Sequence, residues 1–234
     1  PSLSISERCV TGSPHVSNTN WTRLSVIENA ALRVASGCHR MSSIDHLHQE
    51  TKVIPLRPHS ELLTKQYLLR CRLDDHPGHK HVCRPPEPRP MKSDTNSWMN
   101  MVDHLLPIDR PFSRQDYEAG RRLLHKTAVE SALASYENNK VLGTAAPPID
   151  ASEEELPRKA RAFLAQLRSS YCKELRSYQN RLHPNVPNVC PNCDDDAPHS
   201  VAHLFDCAGM ENPTDLTPVD LWLKPKEVAL FLSA

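Results

Sequence analysis

The chain has 234 residues, with 28 Lys/Arg against 28 Asp/Glu, 38% hydrophobic residues and 5% aromatic residues. That length suits one large domain or two small ones with a sparse, mostly aliphatic core. No apolar run approaches a membrane span, and 21 Pro against 6 Gly argues for helices joined by stiff connections rather than a sheet with glycine turns.

The neutral balance hides an uneven distribution. Residues 157–182 carry seven Lys/Arg against one acid, Glu174, whereas 193–234 carry two Lys against eight Asp/Glu. Residues 1–92 carry thirteen basic against eight acidic residues, so a polyanionic partner is compatible with the neutral total. No secretory signal opens the chain, and its 8 Cys are therefore read as thiols of a reducing, intracellular compartment.

Residues 1–17 are polar, unpatterned and unassigned. Residues 18–36 predict a helix capped by Asn18 or Asn20, with Trp21, Leu24, Ile27, Ala31, Val34 and Ala35 as a buried stripe and Gly37 as terminator. A short helix follows, capped by Ser42 or Ser43, with Ile44, Leu47 and His48 on one side. A third starts near Pro58 and buries Leu62, Leu63, Gln66, Leu69 and Leu73.

Residues 74–96 read as a His/Pro-rich linker and a domain boundary. Its His76, His79, His81 and Cys83 fit either a solvated loop or a second metal site. Residues 97–106 suggest a short helix with Trp98, Met101, Val102 and Leu105 inward. A stronger helix spans 113–138, capped by Ser113, with Tyr117, Leu124, Ala128, Val129 and Leu133 apolar. Residues 141–149 are extended, as a short strand or a docked strap.

The next helix combines a cap at Ser152 with Glu153, Glu154 and Glu155 in its first turn, complementing the helix dipole. Over 157–182 it places Phe163, Leu164, Leu167, Tyr171, Leu175, Tyr178 and Leu182 on one face. Arg158, Arg161, Arg168, Lys173 and Arg176 fall on the other face and, with Lys159, are the candidate phosphate contacts; a solvated face is the alternative. Tyr171 and Tyr178 lie on the apolar side and suit core packing better than base stacking.

Pro184 and Pro187 end that helix and lead into Cys190-Pro-Asn-Cys193, nine residues, and His203-Leu-Phe-Asp-Cys207. Two cysteines in one turn, with a His and a Cys four apart on one helical face, suit tetrahedral zinc. Cys190, Cys193, His203 and Cys207 would fill all four positions, a structural arrangement; two unrelated pairs of thiols are the alternative. Leu221, Trp222, Val228, Leu230 and Phe231 mark small terminal helices that fold back on the core.

Taken in order, the segments resemble a known family. Trp21-Thr-Arg-Leu-Ser-Val-Ile-Glu-Asn-Ala-Ala-Leu-Arg-Val-Ala-Ser-Gly-Cys is similar to a stretch just beyond the polymerase palm in reverse transcriptases of jockey-type, LINE-like non-LTR retrotransposons, with Glu28 where the family has Gln. Ile54-Pro-Leu-Arg-Pro-His-Ser-Glu-Leu-Leu, Asn139-Lys-Val-Leu-Gly-Thr-Ala-Ala-Pro-Pro-Ile, Leu164-Ala-Gln-Leu-Arg-Ser, Cys190-Pro-Asn-Cys and His203-Leu-Phe-Asp-Cys continue the likeness over residues 18–232.

The resemblance implies a mainly α fold: a thumb-like helical bundle over 18–73, a helical connection over 97–183 with the basic helix, and a zinc-binding CCHC tail over 184–234. It implies a non-catalytic C-terminal fragment of an RNA-directed DNA polymerase of a mobile element, without the paired-carboxylate turn that holds catalytic metals. Mg belongs to the palm, which is expected to be a partner along with RNA and primer–template nucleic acid. The expected cofactor is structural zinc, and the expected location is nucleus and cytoplasm, with no membrane. Two alternatives stay open: a structural zinc-containing protein-interaction module, or a decayed relic without activity.

Overall fold

A computed structural model describes residues 16–82, 101–212 and 214–233. Cys83, Trp98, most of the Pro-rich linker and the side chain of His81 lie outside the described residues, as do 1–15. Among the described residues the fold is mainly helical, with one isolated β-bridge between Val189 and Pro198.

The helices are α1 (Asn18–Ser36), α2 (Ile44–Thr51), α3 (Leu56–Arg70), the short α4 (His79–Val82), α5 (Arg114–Ser135), α6 (Arg158–Arg168), α7 (Arg176–Leu182), α8 (Val201–Asp206), α9 (Asp220–Leu223) and α10 (Pro225–Phe231). They divide into two compact units. Of the described residues, the first holds those up to Ser25 and those between Ile54 and Ser135; the second holds Val26–Val53 and those from Tyr136 onward. Residues 18–73, expected as one thumb-like region, are thus shared between the two.

In the first unit α3 packs on α5. Leu62, Leu68, Leu69, Val102 and Leu124 form the core, flanked by Ile54, Leu105, Tyr117 and Ala128. Ser113 starts α5 through a reciprocal cap, its Oγ accepting from the Asp116 N–H while Asp116 accepts from the Ser113 N–H at 2.9 Å. Gly120 sits where the helices come closest: a Cβ there would meet Leu69 Cδ2 at 2.8 Å.

In the second unit, Leu164, Leu167, Tyr178, Leu204, Phe205, Leu221, Trp222, Val228 and Phe231 belong to one core. Val141, Leu142, Ala146 and Ile149 pack against it, so the expected strap is a docked one. Asn139 anchors its start: the side-chain NH2 donates to the Arg168 carbonyl at 3.0 Å, and Oδ1 accepts from the Val141 N–H at 2.8 Å. Ser43 caps α2 by accepting from the His46 N–H, and Leu47 and His48 are buried as the pattern predicts, whereas Ile44 is exposed and His46 is buried in its place. Gly37 ends α1 with φ +73°, and a Cβ there would lie 2.4 Å from Ala162 Cβ.

Three expectations need correction. The α1 stripe does not face inward: Leu24, Ile27 and Val34 are 41%, 67% and 72% exposed, and Asn29 is the buried position. The acidic cap does not start α6. Ala151–Glu155 is a separate 3-10 turn capped by Asp150, because Pro157 forces Leu156 into an extended conformation and α6 begins only at Arg158.

Finally, the helix expected over 157–182 is two helices. α6 ends in a Schellman motif: the Ser170 N–H reaches the Leu167 carbonyl at 2.9 Å and the Tyr171 N–H the Gln166 carbonyl at 3.1 Å. Ser170 occupies the left-handed position, φ +60°, usually held by glycine. Beyond it, Tyr171 and Tyr178 stand edge to face at 5.9 Å. Tyr178 OH bonds His39 Nε2 at 2.8 Å, and the Arg181 guanidinium lies over both tyrosine rings. These rings are engaged within the fold, as the apolar-side reading expects.

Candidate metal centre and the cationic side chains

The metal candidates come from a knuckle and a short helix. Cys190-Pro-Asn-Cys193 turns back on itself and pairs with the strand-like residues before α8: the Cys190 N–H bonds the Ala197 carbonyl at 3.0 Å, and the His199 N–H the Asn188 carbonyl at 2.9 Å. Ser200 then caps α8 through the His203 N–H at 3.3 Å. Val201, Leu204 and Phe205 plunge into the core, which leaves His203 and Cys207, four residues apart, facing the knuckle.

The four ligand atoms all lie within 4.8 Å of one another. Cys190 Sγ and Cys207 Sγ are 3.7 Å apart, and Cys193 Sγ and His203 Nε2 are 3.3 Å apart. A tetrahedron with zinc–sulfur bonds of about 2.3 Å has a sulfur–sulfur edge of roughly 3.8 Å. The spacing therefore fits a tetrahedral metal and is too long for a disulfide. Three thiolates and an imidazole can hold a metal ion, and the set is compatible with zinc; with four protein ligands no position remains for a reactive water.

The backbone prepares these sulfurs for charge. The Asn192 N–H points at Cys190 Sγ from 3.4 Å. Burial pushes the Cys190 thiol up, but that N–H and the neighbouring Cys207 and Cys193 thiols outweigh it and hold Cys190 below its ordinary value. Cys193 is pushed up to about 11 by desolvation and its thiol neighbours, against the opposing Asp195 N–H. Four thiol and imidazole groups so crowded favour deprotonation together only when a cation sits among them.

Sequence reasoning missed three supporting residues. Gly209 lies against the knuckle, where an added Cβ would fall 1.5 Å from the Asn192 carbonyl oxygen. The Cys207-Ala-Gly209 sequence was the available signal. Ser200, three residues before His203, was a readable cap. His199 is buried and not a ligand: its Nδ1 accepts from the Arg176 N–H at 3.1 Å and its carbonyl from the Ser177 N–H at 3.3 Å, tying α7 to the knuckle. Gly209→Ala is expected to destabilise the chain by about 1–3 kcal/mol and to weaken metal retention in a chelator competition. Unchanged retention would show that the close approach is dispensable.

The cationic side chains divide sharply. Arg158, Lys159 and Arg161 are exposed at the start of α6, with Arg158 also donating to the Val34 carbonyl at 2.9 Å. Lys173 is exposed and 4.0 Å from Glu174; Arg176 is half-buried and points at the Val189 carbonyl. Arg168 is the correction: it is fully buried and out of reach of any phosphate. Its guanidinium bonds Glu50 at 2.9 Å, both oxygens of Glu153 and the Leu221 carbonyl, and lies 5.8 Å from the Trp222 ring centroid. All five guanidinium N–H groups thus have an acceptor direction within the protein.

The alternative of a second metal site at His76, His79, His81 and Cys83 lies partly outside the described residues. His76 Nδ1 accepts from the Gly78 N–H at 3.0 Å, and His79 lies 3.5 Å from Asp74. Asp194, Asp195 and Asp196 are exposed beside the knuckle, as expected of a solvated loop. Among the described residues no helix is long and apolar enough to cross a membrane. No family model, curated protein or solved structure matches the chain.

Proposed function

We propose that this chain is a non-catalytic C-terminal segment of a jockey-type non-LTR retrotransposon reverse transcriptase, that its Cys190, Cys193, His203, Cys207 centre takes zinc, and that it contributes to holding RNA or primer–template nucleic acid. The observation that carries this reading is the gathering of separate sequence motifs into one body. Asn139 caps the end of α6 at Arg168, and Leu164 and Leu167 of α6 share a core with Leu204 and Phe205 of the metal-bearing helix. The zinc would hold the tail on that core, while Arg158, Lys159 and Arg161 present charge to phosphates. The exposed α1 stripe of Leu24, Ile27 and Val34 suits a face covered by the polymerase palm.

A titration of labelled RNA and DNA by fluorescence polarisation tests the reading. Affinity is expected to fall steeply with salt, and Arg158→Glu with Arg161→Glu is expected to weaken binding about tenfold at low salt. Salt-independent binding, or none, contradicts it. The acidic exposed tail, with Asp194, Asp195, Asp196, Asp206 and Glu211, favours a second reading for residues 193–234: a zinc-centred module that docks on protein.

A further inference from the structure

A second cationic feature lies in the first unit, on a helix whose charge the sequence pattern did not single out. Arg121, Arg122, His125 and Lys126 of α5 fall at successive and four-residue spacings, so they share one face over little more than a turn. All four are exposed. Together with Gln66 of α3 they line an open groove. The close helix approach at Gly120 against Leu69 brings Gln66 beside this face.

The charge there is poorly compensated. Arg121 meets Glu118 at 3.2 Å and Lys126 meets Glu130 at 3.8 Å, both exposed pairs of small energetic value. Among the described residues, Arg122 and His125 have no carboxylate within ion-pair distance. Arg122 and Lys126 are also like charges four apart, an arrangement that weakens a helix in isolation. The helix gains nothing from this concentration unless an anion sits against it.

We propose that this groove binds phosphate groups of a nucleic-acid strand. Two adjacent guanidiniums offer forked donors that match phosphate oxygens, and the lysine, imidazole and Gln66 amide add donors from the flanks. The five lining residues are all polar or charged types whose alkyl stems supply the apolar surface, and none is the buried aromatic or aliphatic anchor around which protein interfaces concentrate their affinity. The groove stands on its own observations and extends the nucleic-acid reading above to the first unit.

The test uses the full, metal-loaded chain and a labelled single-stranded RNA of about 20 nucleotides, across a salt series, with polyglutamate as the competing anion. Arg121→Ala, Arg122→Ala and Lys126→Ala are combined in one variant, and Arg158→Ala, Lys159→Ala and Arg161→Ala in another. The α5 variant is expected to bind about tenfold more weakly and to lower the salt slope by about 2, at about 0.7 per phosphate contact. Its circular dichroism is expected to match the wild type, since every altered side chain is exposed. RNA binding lost only in the α6 variant overturns the groove and leaves the earlier reading standing. Binding lost only in the α5 variant supports the groove and removes α6 from that reading. No RNA binding by the wild type overturns both. Polyglutamate displacing RNA as well as unlabelled RNA does would assign the groove to an acidic protein and overturn the proposal.

Discussion

Removing the metal is expected to release residues 188–207 from the second unit while α3 and α5 remain folded together. The reason is local. This stretch has only the Val189–Pro198 bridge and a six-residue helix as regular structure, and neither is stable alone. A structural zinc supplies that missing stability directly, about 4 kcal/mol when free metal exceeds Kd a thousandfold. Cys190→Ser and His203→Ala each remove a ligand and are expected to lower the unfolding temperature of the second unit by a similar amount as a chelator does. Leu204 and Phe205 keep part of α8 in the core, so loss of order is expected first at the knuckle. Hydrogen exchange resolves this: fast exchange at the Cys190 and Asn192 amides after chelation, with the Leu68 region still protected. Unchanged exchange and unfolding in the chelated protein would identify the four groups as ordinary thiols and an imidazole.

Arg168→Ala is expected to have an effect of the same order, about 3–5 kcal/mol, because it leaves Glu50 and Glu153 buried without their cation. Calorimetry of the variant against wild type measures it; a loss under about 1 kcal/mol would mean that water replaces the guanidinium. The triad also carries a pH signature. One guanidinium faces two carboxylates, so burial, opposed by Arg168 and reinforced by Glu153, pushes Glu50 up to about 7. His46 Nε2 is 3.7 Å from Glu50 and bonds the Ala165 carbonyl. Burial, opposed by that bond and reinforced by Arg168, pushes His46 down to about 4.

The two shifts act in opposite directions. The raised Glu50 contributes stability that is present below the ordinary carboxylate value of 4.5 and lost as pH rises through about 7. The lowered His46 contributes stability that is present above 6.5 and lost as pH falls through about 4. Between 4.5 and 6.5 their slopes oppose, so Glu50→Gln is expected to expose the His46 contribution as a steeper loss of stability on acidification. Identical pH profiles for variant and wild type would exclude this coupling.

What could be read from the sequence was what neighbouring residues decide. The C-x2-C pair, the four-residue spacing of His203 and Cys207, the Ser43 cap and the Gly37 terminator are each set within a few residues, and each is found where it was expected. Arg168 shows the opposite case. An amphipathic pattern assigns every arginine to solvent, but its partner Glu50 lies 118 residues away and no periodicity reports that pairing. The break after α6 was hidden for a related reason: the left-handed position is held by Ser170 rather than by glycine, so the sequence carries no terminator there. The α1 stripe has helical period and still faces outward, because period identifies a face without identifying what covers it. The cations of α5 were overlooked because Glu118 and Glu130 make the helix look evenly charged in sequence; the structure pairs those acids with Arg121 and Lys126 and gathers all four cations beside Gln66.

X-ray absorption at the zinc edge, on the full chain purified without added chelator, tests the metal centre most directly. One zinc per chain is expected, with three sulfurs near 2.3 Å and one nitrogen near 2.0 Å as its only ligands. Substoichiometric zinc, or a shell with oxygen in place of a cysteine or His203, would contradict a closed structural centre at Cys190, Cys193, His203 and Cys207.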